Sequence, residues 1–353
     1  MHGSIRPAII GAGPIGLEVA WALRREGLDP LHFDAEAIGA TMGWWAPGTR
    51  FFSSPERIAI CGVPLLTPHQ DKATREEYLT YLRGVAAQFG LHVRTFERVE
   101  RIEPPAGEGA PFHLHTLTAA GEHTYEASHV IATIGDMHRP RLLNIPGEDQ
   151  PNVSHYFQDP HVYFGRRILI VGGKNSAVEA AIRCYRAGAR VTISYRGAEF
   201  DDKRVKYWLL PELKGLIKDG HIAFLPQTLP TAINATRVEL ARTDANGQPT
   251  PGTLTHEADD ILLLTGYEMD GSLLAAAGVT LHGLQHAPTF DRRTMETNVP
   301  RLYVAGTATA GTQSRFRVFI ENCHDHALKI AAHLTGRTPP REPEHRPEAL
   351  LET

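Results

Sequence analysis

The sequence predicts an α/β protein of two parallel-sheet units, each organised around a strand, a glycine-rich turn and a helix. Three observations predict it. Ala8 to Ile10 runs into Gly11-Ala12-Gly13-Pro14-Ile15-Gly16. Ile168 to Val171 runs into Gly172-Gly173-Lys174-Asn175-Ser176-Ala177. Apolar stretches at 125–133, 259–266 and 302–306 add further strands that lead into glycine. Short buried strands alternating with helices place helices on both faces of a parallel sheet. At 353 residues the chain has room for about two such domains.

In the first unit Leu17, Ala20, Trp21 and Leu23 recur at helical spacing, and Gly27 closes the helix. Leu31-His32-Phe33-Asp34 is a second strand ending in an acid. Strand, glycine turn, helix, strand and acid together form a dinucleotide fingerprint. Gly11 permits the tight turn, Gly13 lets backbone approach a pyrophosphate, and Gly16 lets helix and strand close up. Pro14 opens a helix whose N-terminal N–H groups face the phosphates. Asp34 is placed to accept from ribose hydroxyls.

In the second unit a helix runs through Val178, Ala181 and Ile182 to Gly188, followed by the strand Val191 to Tyr195. That strand ends in Tyr195-Arg196 rather than an acid. An acid there repels a 2′-phosphate, whereas an arginine pairs with one, so NADPH is expected over NADH. Arg204 and Lys206 add positive charge. Lys174 stands where a second glycine would stand.

Two dinucleotide units in one chain suit a hydride relay with FAD in one and NADPH in the other. The expected organisation is a discontinuous FAD domain, 1–157 and 265–337, interrupted by an NADPH domain over 158–264. A loose tail follows over 338–353. Loops at 104–111 and 244–253 read as exposed turns.

Composition narrows the partners. Hydrophobic residues make up 42% and charged residues 22%, which excludes disordered and fibrous classes. A net charge of −4 predicts neither nucleic acid nor a membrane surface as partner. No apolar run approaches the roughly 20 residues that span a bilayer. Ala8 to Leu23 is broken by glycines and Glu18 and does not read as a signal peptide. Three scattered cysteines and no C-x-x-C pair indicate a reducing, cytoplasmic setting. No metal is expected, since His324 and His326 lack further ligands.

Over nearly the whole chain the residues resemble the bacillithiol disulfide reductase family, within the thioredoxin-reductase-like flavoproteins. The resemblance is carried by Phe51-Phe52-Ser53-Ser54-Pro55-Glu56, Gly62-Val63-Pro64, Thr74-Arg75-Glu76-Glu77-Tyr78 and Pro146-Gly147-Glu148-Asp149. It continues through Val153-Ser154-His155-Tyr156, the Gly172 to Ala177 block, Val205-Lys206-Tyr207-Trp208 and Thr265-Gly266-Tyr267. It ends in Met295-Glu296-Thr297-Asn298-Val299-Pro300 and Phe319-Ile320-Glu321-Asn322. It implies FAD, NADPH, a small disulfide as electron acceptor and a cytoplasmic homo-oligomer, dimer or tetramer. It also implies that Thr133, Gly306 and Thr307 lie at the flavin. The family's loop cysteine is replaced here by Ile15, Ala132-Thr133-Ile134-Gly135 carries an inserted residue, and Thr307 stands where many flavoproteins have an aspartate.

A replacement thiol is sought in Cys323, three residues before His326 and so on the same helix face. A thiolate beside an imidazolium is reactive. Cys61 and Cys184 read as packing residues. Trp44, Trp45, Tyr207 and Trp208 suit either ring shielding or the core. Alternatives with the same folds are a flavin monooxygenase, a ferredoxin or flavodoxin reductase, and a flavin-binding protein without turnover.

Overall fold

A computed structural model describes residues 5–314 and 317–338. The chain divides into two units. Of the described residues, one contains those up to Trp44, Gly48–Arg139 and those from Tyr267 to 338. The other contains Trp45–Pro47 and Pro140–Gly266.

The first unit holds a four-stranded sheet in the order Leu302–Val304, Val130–Ala132, Ala8–Ile10, Leu31–Phe33. All neighbours are parallel, with Ala8 opposite Leu31 on one side and Val130 on the other. Every residue of these four strands is buried, as expected where helices or loops cover both faces. The helix Pro14–Arg25 follows the first strand and buries nine of the ten residues from Pro14 to Leu23, Trp21 being the one partly exposed. Phe33, Phe112, Leu114 and Leu302 sit in one apolar cluster, so the antiparallel sheet Arg98–Glu103, Phe112–Thr118, Gly121–Ala127 shares this core.

The second unit repeats the plan. Its parallel sheet runs Ala223–Pro226, Arg190–Tyr195, Arg167–Val171, Asp260–Leu263, Val153–Ser154. The helix Asn175–Arg186 buries Ala177 to Ile182 and Cys184 against it. A second antiparallel sheet, Thr228–Asn234, Arg237–Thr243, Pro249–Glu257, packs on Leu169, Val171 and Leu263.

Four expectations are corrected. The first domain does not extend to 157, because Val153 pairs with Ile261 in the second sheet; the division falls at Arg139/Pro140 and Gly266/Tyr267. The stretch 125–133 is not one strand. Its first part pairs antiparallel with Phe112–Thr118 and its last part joins the parallel sheet, with Ser128 and His129 turning between them. The 244–253 segment is a turn only at its start, where Asp244 Oδ1 accepts from the Asn246 and Gln248 N–H groups. Thr250 and Thr253 are already paired strand. The 259–266 stretch pairs only over Asp260–Leu263. The expected tail lies outside the described residues from 339 onward. Among the described residues no helix is long and apolar enough to cross a membrane.

Candidate functional site

The first glycine loop is held by side chains from neighbouring strands. Gly11 has φ +106°, and a Cβ there would lie 2.5 Å from the Thr133 carbonyl oxygen. A Cβ on Gly16 would lie 2.0 Å from the Gly11 carbonyl oxygen, so helix and strand meet backbone to backbone. Thr133 Oγ1 lies 2.7 Å from the Gly11 carbonyl oxygen and donates to it. His32 Nε2 lies 2.9 Å from the same oxygen. A carbonyl only accepts, so Nε2 carries the proton. Burial lowers the His32 pKa to about 4, so the ring is neutral at physiological pH.

Asp34 closes the loop from the other side. Its Oδ2 accepts from the Ala12 N–H at 2.6 Å and its Oδ1 from the Glu36 N–H at 2.9 Å. Burial raises the Asp34 pKa, and these N–H donors pull it back. Asp34 therefore braces the loop as well as standing where a ribose would reach it.

By contrast, a Cβ on Gly13 would meet nothing within 4 Å. Gly13 N-caps the helix Pro14–Arg25, and no cap side chain closes its first N–H groups. The helix Asn175–Arg186 likewise starts at Lys174 without a side-chain cap bond. The helix Arg75–Gln88 shows the alternative, a complete Thr74–Glu77 capping box. Helix starts left open behind glycine loops are suited to phosphate oxygens.

At the adjoining strand ends, Gly306 has φ +71°, and a Cβ there would touch Ile15 at 3.4 Å. The Gly306 N–H donates to His326 Nδ1 at 3.1 Å. Thr307 follows, close to the buried Asp136 carboxylate.

The reading of Cys323 beside an imidazolium finds no support in this geometry: His326 Nδ1 accepts a backbone N–H, an arrangement that suits the neutral ring. Cys323 is fully buried at the start of the helix His324–Leu334, its Sγ 3.7 Å from Asn322 Oδ1, a contact in which the thiol donates. Cys61 and Cys184 are buried too, and burial pushes both thiols up, Cys184 to about 12.

In the second loop Gly172 has φ +145°, with Leu264 O 2.6 Å from a Cβ position. The Tyr195 ring covers Gly173, where a Cβ would lie 2.4 Å from it, and stacks on Phe200. Asn175 Oδ1 accepts the Lys206 N–H at 2.6 Å. Lys206 is not a surface charge as expected. Its ammonium is buried 2.9 Å from Glu179 Oε2. Ser176 is exposed at the helix start and Ala177 is buried beneath the loop.

The positive charge at this loop comes from elsewhere. Burial lowers the Lys174 pKa, and Arg204, Arg141 and Arg196 lower it further by repulsion. Arg196 and Arg204 are exposed, and Arg204 also pairs with Asp201 at 2.8 Å. Lys174, Arg204, Arg141 and Arg196 therefore stand close enough to feel one another's charge at this helix start. Arg141 was not singled out in the sequence, because it enters from a distant segment whose Thr265–Gly266 contacts are tertiary.

The family model for pyridine nucleotide-disulphide oxidoreductases matches residues 8–306. The chain belongs to that family. Within this oxidoreductase family it is similar to the bacilliredoxin reductase Bdr of Bacillus subtilis, 32% identical over 93% of this chain and 97% of the relative. It is also similar to the solved bacillithiol disulfide reductase Bdr of Bacillus cereus. There the TM-score is 0.86 at 32% identity, covering 94% of this chain and 99% of the other. A ferredoxin–NADP reductase of Ignicoccus hospitalis is 27% identical over 85% of this chain and 89% of its own length. The chain is a Bdr-type flavoprotein oxidoreductase, and its cofactors are FAD and NADPH. Both loops fit such groups: open space at Gly13 and uncapped helix N–H groups in the first, four clustered cations in the second.

Proposed function

We propose that the chain reduces a low-molecular-weight thiol disulfide, bacillithiol disulfide being the first substrate to test. The balance is NADPH + H⁺ + RSSR → NADP⁺ + 2 RSH. FAD, when bound, takes hydride from NADPH and passes the electrons on to the disulfide. FAD belongs in the first unit, at Gly11, Gly13, Pro14, Gly16, Asp34, Thr133, Gly306 and Thr307. NADPH belongs in the second, at Gly172 to Ala177, with Arg196 and the cations around Lys174 holding the 2′-phosphate. Lys206 supports that loop through Asn175 without touching the nucleotide.

The observation that carries the choice of NADPH is the Lys174, Arg141, Arg196 and Arg204 cluster. The disulfide acceptor rests on the similarity to the Bdr proteins. With isoleucine at 15 and all three cysteines buried, this reading involves no protein disulfide: a bound flavin would have to supply electrons to the acceptor itself. We place the protein in the cytoplasm as a homo-oligomer, as the resemblance implies.

The test is anaerobic NADPH oxidation by the purified protein with and without bacillithiol disulfide. Steady oxidation that depends on the disulfide supports the proposal. Flavin reduction that no disulfide drains overturns the acceptor, and the similarity to ferredoxin–NADP reductases makes ferredoxin the next one to try.

A further inference from the structure

We propose that Asp136 is a positioning residue of the flavin cradle, acting through Thr307 and Gln313. This rests on the assignment of FAD to the first unit.

Asp136 lies just beyond Val130–Ala132, and Thr307 just beyond Leu302–Val304. These strands are parallel neighbours, Leu302 opposite Val130 and Val304 opposite Ala132. Both residues therefore stand at the carboxyl edge of the sheet, beside the Gly11 turn, where open α/β sheets bind their ligands. A carboxylate buried there is costly unless donors satisfy it. Asp136 is 7% exposed, and its Oδ2 accepts from Gln313 Nε2 at 2.9 Å. Thr307 stands close enough for its hydroxyl to favour the charged form of that carboxyl, against the burial that raises its pKa.

Gln313 carries the link onward. Its Oε1 accepts from the Arg317 and Val318 N–H groups at 2.9 and 3.0 Å, and its Nε2 also donates to the Val318 carbonyl at 3.0 Å. One carboxylate thus ties this strand end to the chain beyond Thr307. In this inference the Thr307 proton turns towards Asp136, which leaves the Thr307 oxygen to accept from a cofactor hydroxyl. The sequence has no acid at 307, and the neighbouring strand end supplies one.

Asp136→Asn tests this with the full-length chain. The carboxamide keeps the shape but turns one acceptor into a donor; with its oxygen still accepting from Gln313, its NH2 would donate to the Thr307 oxygen and take the lone pair a cofactor hydroxyl would use. After FAD is stripped, flavin-fluorescence titration is expected to give a Kd raised roughly tenfold. The flavin midpoint potential is expected to rise as a nearby negative charge is lost. Thr307→Val is expected to weaken FAD comparably, and serves if Asp136→Asn does not fold. Adding Thr307→Asp to Asp136→Asn is expected to lower the potential again. Unchanged FAD affinity and potential in both single variants overturn the inference. So does lowered apoprotein stability with unchanged FAD affinity, which marks a structural role only. A wild-type chain that takes up no FAD overturns the assignment itself.

Discussion

Lys206 Nζ lies 2.9 Å from Glu179 Oε2, both nearly buried, on the inner side of the second glycine loop. The same lysine presents its N–H to Asn175, the first residue of the helix. It holds the helix start from within. Lys206→Met keeps the stem and removes the charge, leaving Glu179 with Arg183 at 3.5 Å. Losing one partner of a buried pair is costly, and Arg183 offsets part of it, so a loss of about 2 kcal/mol is expected. Urea unfolding reads it. The KM for NADPH is expected to change little in the fraction that remains folded.

The exposed cations should behave in the opposite way. Arg196→Ala and Arg204→Ala remove charges that already repel Lys174, so stability is expected to hold or rise slightly. A charge-assisted bond to a phosphate is worth about 1.5–3 kcal/mol, so Arg196→Ala is expected to raise the KM for NADPH roughly tenfold or more. The KM for NADH should hardly move. Equal effects on both nucleotides would remove Arg196 from the 2′-phosphate site.

Cys323→Ala should leave disulfide turnover within about twofold of wild type. The thiol is buried, and the His326 nitrogen nearest the backbone is an acceptor. A small cavity costs on the order of 1 kcal/mol, visible as a modest fall in melting temperature. Turnover lost without loss of flavin would restore Cys323 as the thiol that replaces the missing loop cysteine.

Acid should weaken the first unit through His32. Its folded pKa of about 4 lies below the usual 6.5, so below pH 6.5 the unfolded chain binds the proton more readily. Stability is therefore expected to fall as pH drops from 6.5 towards 4, by an order of 3 kcal/mol in all. Asp34 and Asp136, whose pKa values burial raises, act the other way over the carboxylate range. His32→Gln keeps a donor for the Gly11 carbonyl and removes the titration. Urea unfolding at pH 7, 6 and 5 should show a shallower decline in that variant; an identical slope rules His32 out as its source.

What the sequence made legible was whatever lay close along the chain. The two strand–glycine–helix turns, Asp34 at the end of its strand and Arg196 in place of an acid all lie within one supersecondary unit. What it hid came from pairing between distant segments. Val153 joins the second sheet only because Ile261 returns beside it. Asp136, His32 and Arg141 belong to no motif, and their roles appear once Gln313, the Gly11 carbonyl and Lys174 are brought to them. For Cys323 and His326, helical spacing gives adjacency and says nothing of protonation. The Gly306 N–H, just beyond the strand Leu302–Val304, donates to Nδ1 of His326.

The glycines of the first loop separate folding from binding. Gly16 meets the Gly11 backbone, and a Cβ at 2.0 Å from a carbonyl oxygen cannot be absorbed by a side-chain shift. Gly16→Ala is therefore expected to destabilise the chain whether or not FAD is present, by several kcal/mol. A methyl on Gly13 meets no protein atom within 4 Å, so Gly13→Ala should fold as the wild-type apoprotein does. The space it enters is the space a pyrophosphate needs, and its effect should appear only on loading. The apoprotein melting temperatures of Gly13→Ala and wild type are expected to agree within about a degree or two, while added FAD raises only the wild type. Full FAD stabilisation of Gly13→Ala would place the phosphates away from this loop, and a destabilised apoprotein would show that the open side of Gly13 is already in use by the fold.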